Sequence, residues 1–179
     1  MNDTERIGTL HYEGDHGTVR MVELVDTDPD DLWAALTRPE RLSRWIGDVE
    51  GDLRVGSELR AKFRSGWEGT LRVELCDAPR RLRVSSTPDD DDPTEMEAWL
   101  EPEGDRTRLT IEERGLAAAA LHFHGAGWEV HVQDLVQVIA GRTPPEWEPR
   151  WRELIPVYEV MRDESGADEN PQPPTGSGT

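Results

Sequence analysis

The spacing of hydrophobic residues changes once along the chain, and that change predicts the architecture. From Thr9 onward apolar positions recur mostly at every second residue, as they do in half-buried strands. Between Gly125 and Gly141 they recur every three or four residues, which predicts an amphipathic helix. A sheet that buries one face needs such a helix as its partner. The apolar stripe of this helix consists of Trp128, Val132, Leu135 and Ile139.

Several stretches before this helix have the alternation or composition of strands. Glu58–Phe63 is the clearest example, because Leu59, Ala61 and Phe63 alternate with charged residues. Sequential strands with short connections predict an antiparallel sheet, here of about six or seven strands. The Pro88–Pro93 segment, with four consecutive aspartates, is interpreted as a solvated turn. The strand stretches are Thr9–Asp26, Glu58–Phe63, Trp67–Leu75, Arg81–Ser86, Thr94–Glu101 and Arg106–Arg114.

Two short helices are predicted between the first strand region and the rest of the sheet. Asp28 can cap the first helix, and Pro29 suits its first turn. A second helix starts at Pro39. The glycines that follow, Gly47, Gly51 and Gly56, are interpreted as breaks in the chain.

The C-terminal part of the chain predicts one more helix. Glu146–Arg162 has tryptophans and aliphatic residues at helical spacing, with Pro156 inside the pattern, where it should kink or divide the helix. Residues 163–179 are rich in Pro, Gly, Ser and Asp and are predicted to be a disordered tail. Residues 1–8 are predicted to be disordered as well, which leaves one domain over residues 9–162.

Composition narrows the range of functions. The net charge of −18 and a pI near 4.6 argue against binding to nucleic acid or to anionic membranes, which need a basic surface. Cys76 is the only cysteine, so neither an intramolecular disulfide nor a cysteine-based metal site is expected. The N-terminal residues lack the features of a signal peptide, and no apolar run is long enough to span a bilayer. A cytoplasmic location is therefore expected.

The order of these elements resembles the helix-grip proteins of the SRPBCC superfamily, which includes the START domains and the Bet v 1 pollen allergens. Within it the chain is similar to the bacterial family named after the C-terminal domain of the activator of Hsp90 ATPase. This resemblance covers about residues 10–141. It rests on Pro29–Trp33, Ala35–Thr37, Pro39–Leu42 with Trp45, Asp52–Gly56, Pro79–Leu82, Arg108–Glu112, and Gly127-Trp128 followed by Leu135.

The resemblance implies an α+β fold in which a curved antiparallel sheet wraps a long C-terminal helix, with an apolar cavity between them. Inward-facing residues of the strands and of the helix stripe could line that cavity or could fill a solid core. The candidate ligand-binding residues are Phe63, Trp67, Leu71, Val84, Met96, Leu109, Ile111, Trp128, Val132 and Leu135.

Candidate catalytic chemistry is limited to an acidic residue and nearby histidines. Glu113 lies on the inward register of its strand, and His124 and His131 flank the start of the long helix. A carboxyl group in an apolar cavity has a raised pKa and could exchange protons with a histidine. Glu113 could be such an acid or a structural residue, and the same two interpretations apply to Glu23. The histidine spacing matches no zinc pattern, so neither a metal nor a cofactor is expected.

These observations predict that the protein binds a small, largely apolar molecule. The alternatives are a cyclase- or hydrolase-like enzyme that uses Glu113 with His124 or His131, and a chaperone cofactor. Trp147 and Trp151 are expected either to pack back on the domain or to form a homodimer. Leu116–Phe123 is expected to form either a movable mouth of the cavity or a further short strand or helical turn.

Overall fold

The computed structural model describes residues 7–86 and 93–167, with side chains up to residue 162. The four aspartates 89–92, residues 1–6 and residues 168–179 lie outside the described part of the chain. The elements in chain order are β1 (Gly8–Glu13), β2 (His16–Val25), α1 (Pro29–Thr37), α2 (Pro39–Leu42), β3 (Gly47–Glu50), β4 (Glu58–Phe63), β5 (Glu68–Asp77), β6 (Arg81–Ser86), β7 (Glu95–Glu103), β8 (Arg106–Ala117), α3 (Leu121–Ile139) and α4 (Trp147–Ala167).

The strands form one antiparallel sheet in the order β1-β2-β8-β7-β6-β5-β4-β3. This architecture confirms the predicted α+β helix-grip fold, although eight strands were found where about six or seven were expected. The predicted stretch Thr9–Asp26 is a hairpin of two strands, because Gly14 turns the chain with a φ of 63°. The segment around Gly47, expected to be a break, forms β3 and pairs with β4.

The two short helices lie where the sequence predicts them. Asp28 caps α1 by accepting a 2.9 Å hydrogen bond from the backbone N–H of Asp31, and Pro29 occupies the first turn. Trp45, just after α2, donates its indole N–H to the carbonyl of Ala35 at 3.0 Å. This buried contact holds the two helices against each other at one end of the sheet.

The long helix α3 begins at Leu121, four residues before the predicted start. Strand β8 runs to Ala117, and a single 3-10 turn over Ala118–Ala120 leads directly into α3. Of the arrangements expected for Leu116–Phe123, the structure contains a helical turn, flanked by the end of β8 and the start of α3, and a movable mouth stays a prediction. Gly125 lies inside α3 instead of preceding it. A glycine is needed at this position, because a Cβ atom there would come within 2.5 Å of the Tyr158 ring.

Helix α4 packs along α3 and is longer than predicted. It continues through Pro156 as one helix to Ala167, whereas the prediction ended the helix at residue 162 and began a disordered tail at 163. Its main anchor is Tyr158, which is 1% exposed and donates a 2.6 Å hydrogen bond to the buried carboxylate of Glu129 in α3. None of the helices in the described ranges is long and apolar enough to cross a membrane.

The outward face of the sheet carries a network of charged side chains. Glu97 is 3% exposed although its register points away from the core, since Arg81 and Arg114 form ion pairs with it from neighbouring strands. Both guanidinium groups also lie over the Trp99 ring, 5.6 and 5.8 Å from its centroid. Trp99 thus packs within this network.

Candidate functional site

Two cavities lie between the sheet and the helices. The first, called here the apolar cavity, has a volume of about 110 Å³. The second, called the large cavity, has a volume of about 570 Å³. Phe63, Met96 and Trp128 border both cavities, so these three side chains separate one cavity from the other.

The apolar cavity is surrounded by α1, α2 and the inward face of the central strands. Leu71, Val84 and Ile111, which were predicted to bind a ligand, border it. Leu71 and Ile111 are almost fully buried, so this cavity is a continuation of the hydrophobic core. The volume is smaller than that of an ordinary ligand site, which runs to several hundred cubic ångströms.

The large cavity is bordered by the ends of several elements. The turn between β4 and β5 contributes Trp67, the end of β8 contributes Glu113, and α3 contributes His124 and His131. Helix α4 closes one side. The remaining bordering residues are His16, Phe63, Ser65, Ser86, Thr94, Met96, Gly115, Leu116, Ala117, Ala120, Phe123, Gly127, Trp128, Trp147 and Trp151.

Aromatic rings form a continuous series of contacts along the wall of the large cavity. Neighbouring ring centroids are 5.0 to 6.3 Å apart, distances at which aromatic pairs attract each other. The series consists of Trp67, Phe63, His131, Trp147, Trp151 and Phe123 in that order of contact.

Trp147 and Trp151 thus pack back onto the domain, which was one of the two expected arrangements. Their rings stack at 5.5 Å, and the Trp151 indole N–H donates to the carbonyl of Phe123 at 3.1 Å. A homodimer through these two side chains stays a prediction.

Glu113 is the polar centre of the large cavity. One of its carboxylate oxygens accepts a 2.6 Å hydrogen bond from the indole N–H of Trp128 and lies 3.4 Å from Nδ1 of His124. The Glu113 side chain is 11% exposed and that of His124 is 40% exposed. The structure therefore brings together two of the three candidate catalytic residues.

His131, the third candidate, belongs to the aromatic wall. Its ring contacts those of Phe63, Trp128 and Trp147. The pKa of His131 is lowered to about 4, chiefly by burial; a hydrogen bond with the backbone of Trp45 opposes this shift, and the positive charges of Arg64 and Arg150 add to it. His131 is therefore a neutral ring at pH 7.

Arg64 and Arg150 are both held by one buried carboxylate. Asp134, whose side chain is fully buried, lies 2.5 Å from Arg150 in α4 and 3.5 Å from Arg64 in the β4–β5 turn. Burial raises the pKa of Asp134, and the two arginines oppose that shift. Since the three residues come from three different segments, this ion cluster ties α4 and the turn to α3.

The structure does not place three of the predicted lining residues at either cavity. Leu109, Val132 and Leu135 are at most 1% exposed and border neither cavity. Val132 and Leu135 of the helix stripe face the packed core, while Trp128 at the start of the stripe and His131 beside it border the cavities. Alternation and helical spacing identify a buried face, but they do not distinguish its solid part from its hollow part.

Glu23, which also had a chemical interpretation, borders neither cavity, and His122 of α3 borders neither as well. Glu23 accepts a hydrogen bond from the backbone N–H of Leu24, and His122 lies 3.7 Å from Glu159 in α4. Within residues 7–86 and 93–167, no cluster of three or more His, Cys, Asp or Glu side chains is arranged to hold a metal ion.

Sequence reasoning missed the part of the large cavity that comes from outside the sheet. Phe123 was assigned to a mouth segment, and Trp147 and Trp151 were assigned to packing or dimerisation. Their helical spacing was visible, but the face of the domain that α4 would cover was not. The position of α4 on the domain depends on contacts such as that of Tyr158 with Gly125, which joins residues far apart in the sequence.

The eight-stranded sheet, the paired short helices and the long C-terminal helix define the helix-grip class of α+β proteins. Within that class the chain belongs to the AHSA1 family, described as Activator of Hsp90 ATPase homolog 1-like protein, whose model matches residues 26–140. No curated protein matches the chain.

Solved structures share this fold. CalU16 from Micromonospora echinospora is 26% identical, with a TM-score of 0.71 over 89% of this chain and 98% of its own. The conserved protein of unknown function EF2215 from Enterococcus faecalis is 21% identical, with a TM-score of 0.71 over 88% and 91% of the two chains. DynU16, described as a putative protein in the dynemicin biosynthetic locus, is 21% identical, with a TM-score of 0.66 over 74% and 49%.

Proposed function

We propose that the protein binds a small, largely apolar molecule in the large cavity. The observation that supports this most directly is the size and lining of the cavity. A volume of about 570 Å³ falls within the range of small-molecule sites, and six Phe and Trp side chains border the cavity. Among its polar residues, Glu113 and His124 lie side by side, where they can orient a ligand.

The arrangement of the surrounding helices also supports binding. The Arg64–Asp134–Arg150 ion cluster and the Tyr158–Glu129 hydrogen bond fix α4 beside the cavity before any ligand arrives. A preformed site saves the free energy that ordering a flexible wall would cost on binding.

Titration with the neutral fluorescent dye N-phenyl-1-naphthylamine tests this proposal, with a matched pair of variants. Ala120 borders the large cavity, whereas Ala119, its neighbour in the same 3-10 turn, is exposed and does not. Ala120→Trp should obstruct the cavity and weaken dye binding at least tenfold, while Ala119→Trp should bind like the parent. Absence of dye binding by the parent, or equal binding by both variants, would refute the proposal.

Acid–base catalysis in the same cavity is the second candidate, and the 3.4 Å approach of His124 to Glu113 favours it. The pair would be Glu113 with His124, since His131 is held neutral within the aromatic wall. Hydrolysis of 4-nitrophenyl acetate by the parent and by His124→Ala is a direct test of the hydrolase form. A rate that the substitution leaves unchanged would exclude this role for His124 with that ester.

A further inference from the structure

The large cavity has a negatively charged group but no fixed positive one. Among its bordering residues Glu113 is the only carboxylate, and none is an arginine or a lysine. Within the described part of the chain, the only basic group within ion-pair distance of Glu113 is His124. The carboxylate is thus nearly buried and faces a cavity without a permanent countercharge.

Two other buried carboxylates are paired with arginines, whereas the buried Glu129 is held by hydrogen bonds from Tyr158 and Gln133. Glu97 is paired with two arginines on the outward face of the sheet, and Asp134 lies between Arg64 and Arg150. Burial of a charge is costly unless a partner neutralises it. Glu113 differs from Glu97 and Asp134 in that it borders the large cavity and has no arginine partner, so a ligand could supply the missing charge.

The rest of the lining suits the same kind of ligand. Six aromatic side chains border the cavity, and the faces of indole and phenyl rings attract cations. The neutral His131 adds another ring without adding a positive charge. The nearest arginines described beside it, Arg64 and Arg150, are both engaged by Asp134.

We infer that the ligand of the large cavity is an apolar amine whose cationic group binds Glu113 while its aromatic or aliphatic body packs against Trp147 and Trp151. This inference rests on the proposed function and specifies the chemical class of the ligand. The net charge of −18 acts in the same direction, because it favours the approach of cations and opposes that of anions.

The test compares three ligands of the same shape that differ in charge. With the full-length protein, 1-naphthylmethylamine, 1-naphthalenemethanol and 1-naphthoic acid are each titrated against bound N-phenyl-1-naphthylamine. The amine should displace the dye at a concentration at least tenfold lower than the alcohol, and the acid should be the weakest. Equal potency of amine and alcohol would overturn the inference without the need for any variant.

Substitution then assigns the preference to Glu113. Glu113→Gln removes the charge but keeps an acceptor for the Trp128 indole N–H, so it should bring the amine and the alcohol to within twofold of each other. Glu101→Gln removes the same charge from an exposed position on β7 and should keep the parent's preference. If Glu101→Gln abolished the preference as fully, the attraction would come from the surface field and the inference would be wrong.

The outcomes separate this inference from the proposed function. If the parent does not bind the neutral dye, the proposed function fails and the inference fails with it. If the parent binds the dye but shows no preference for the amine, only the inference fails. Titrations at 150 mM and 500 mM NaCl should keep the preference, because salt screens exposed charges far more than buried ones.

Discussion

The two cavities differ in where their walls come from. All the residues around the apolar cavity fall within the stretch 26–140 that matches the family, whereas the large cavity also requires His16, Trp147 and Trp151 from outside it. The family region therefore encloses a small hollow in its own core. The large cavity needs residues on both sides of that stretch to complete its wall. This comparison makes the large cavity dependent on α4 and on its contact with α3.

The chemistry of the two cavities follows from this origin. The apolar cavity is bordered by inward-facing strand residues and by apolar residues of α1 and α2, so its wall resembles a protein interior. The large cavity is bordered by strand ends, a turn and a helix face, where polar groups such as Glu113 can remain partly exposed. Variants that affect one cavity and spare the other therefore test the distinction.

The largest effect is expected from Tyr158→Ala. Loss of the buried ring should lower the free energy of unfolding by roughly 3–5 kcal/mol, and it should release α4 from α3. Urea unfolding gives the stability, and N-phenyl-1-naphthylamine titration should show that binding in the large cavity is lost. Tyr158→Phe, the control, keeps the ring but leaves Glu129 without its hydroxyl donor, so it should cost about 1–3 kcal/mol. Undiminished dye binding by a folded Tyr158→Ala protein would contradict the dependence of the cavity on α4.

The sequence predicted the elements whose signal is local. Glu58–Phe63 and Arg81–Ser86 lie at the predicted bounds, and in Glu58–Phe63 the alternation of the sequence matches an alternation of burial. Asp28 and Pro29 marked the start of α1 through capping chemistry that involves only neighbouring residues. β3 was missed because four residues beside glycines are too few to show alternation, and pairing with β4 stabilises them.

Features that depend on distant contacts were not predictable in this way. Gly125 was interpreted as the boundary of a helix, yet it lies inside α3 to make room for Tyr158. Leu135 was placed in the cavity lining, yet it is fully buried in the core. Whether a buried position borders a hollow depends on the volumes of all its neighbours, and a periodic pattern contains no information on those volumes.

A smaller effect, dependent on pH, is expected at His131. Its pKa is about 4 in the folded protein, against an ordinary value of 6.5, so between these values the unfolded chain binds a proton that the folded protein excludes. The contribution of His131 to the free energy of unfolding is fully present above pH 6.5 and is lost as the pH falls toward 4. The loss at pH 5 relative to pH 7.5 should be about 2 kcal/mol.

His131→Phe keeps an aromatic ring in the wall and removes the titrating group. Urea unfolding at pH 7.5 and pH 5 should show a loss about 2 kcal/mol smaller for this variant than for the parent. The same loss in both proteins would show that His131 is not held neutral by its surroundings, which would weaken the description of the wall as uncharged.

The smallest effect is expected from filling the apolar cavity. Ala98 borders that cavity but not the large one, and Ala98→Leu adds three carbon atoms that the hollow can accept. Filling of a cavity commonly stabilises a protein by about 0.5–2 kcal/mol, and dye binding in the large cavity should stay within twofold of the parent. Ala126→Leu makes the same change at a fully buried position in α3 that borders neither cavity, so it should destabilise the protein by roughly 1–3 kcal/mol. If Ala98→Leu were as destabilising as Ala126→Leu, the apolar cavity would be unable to accept the side chain, and the region matched by the family would enclose a packed core instead of a second hollow.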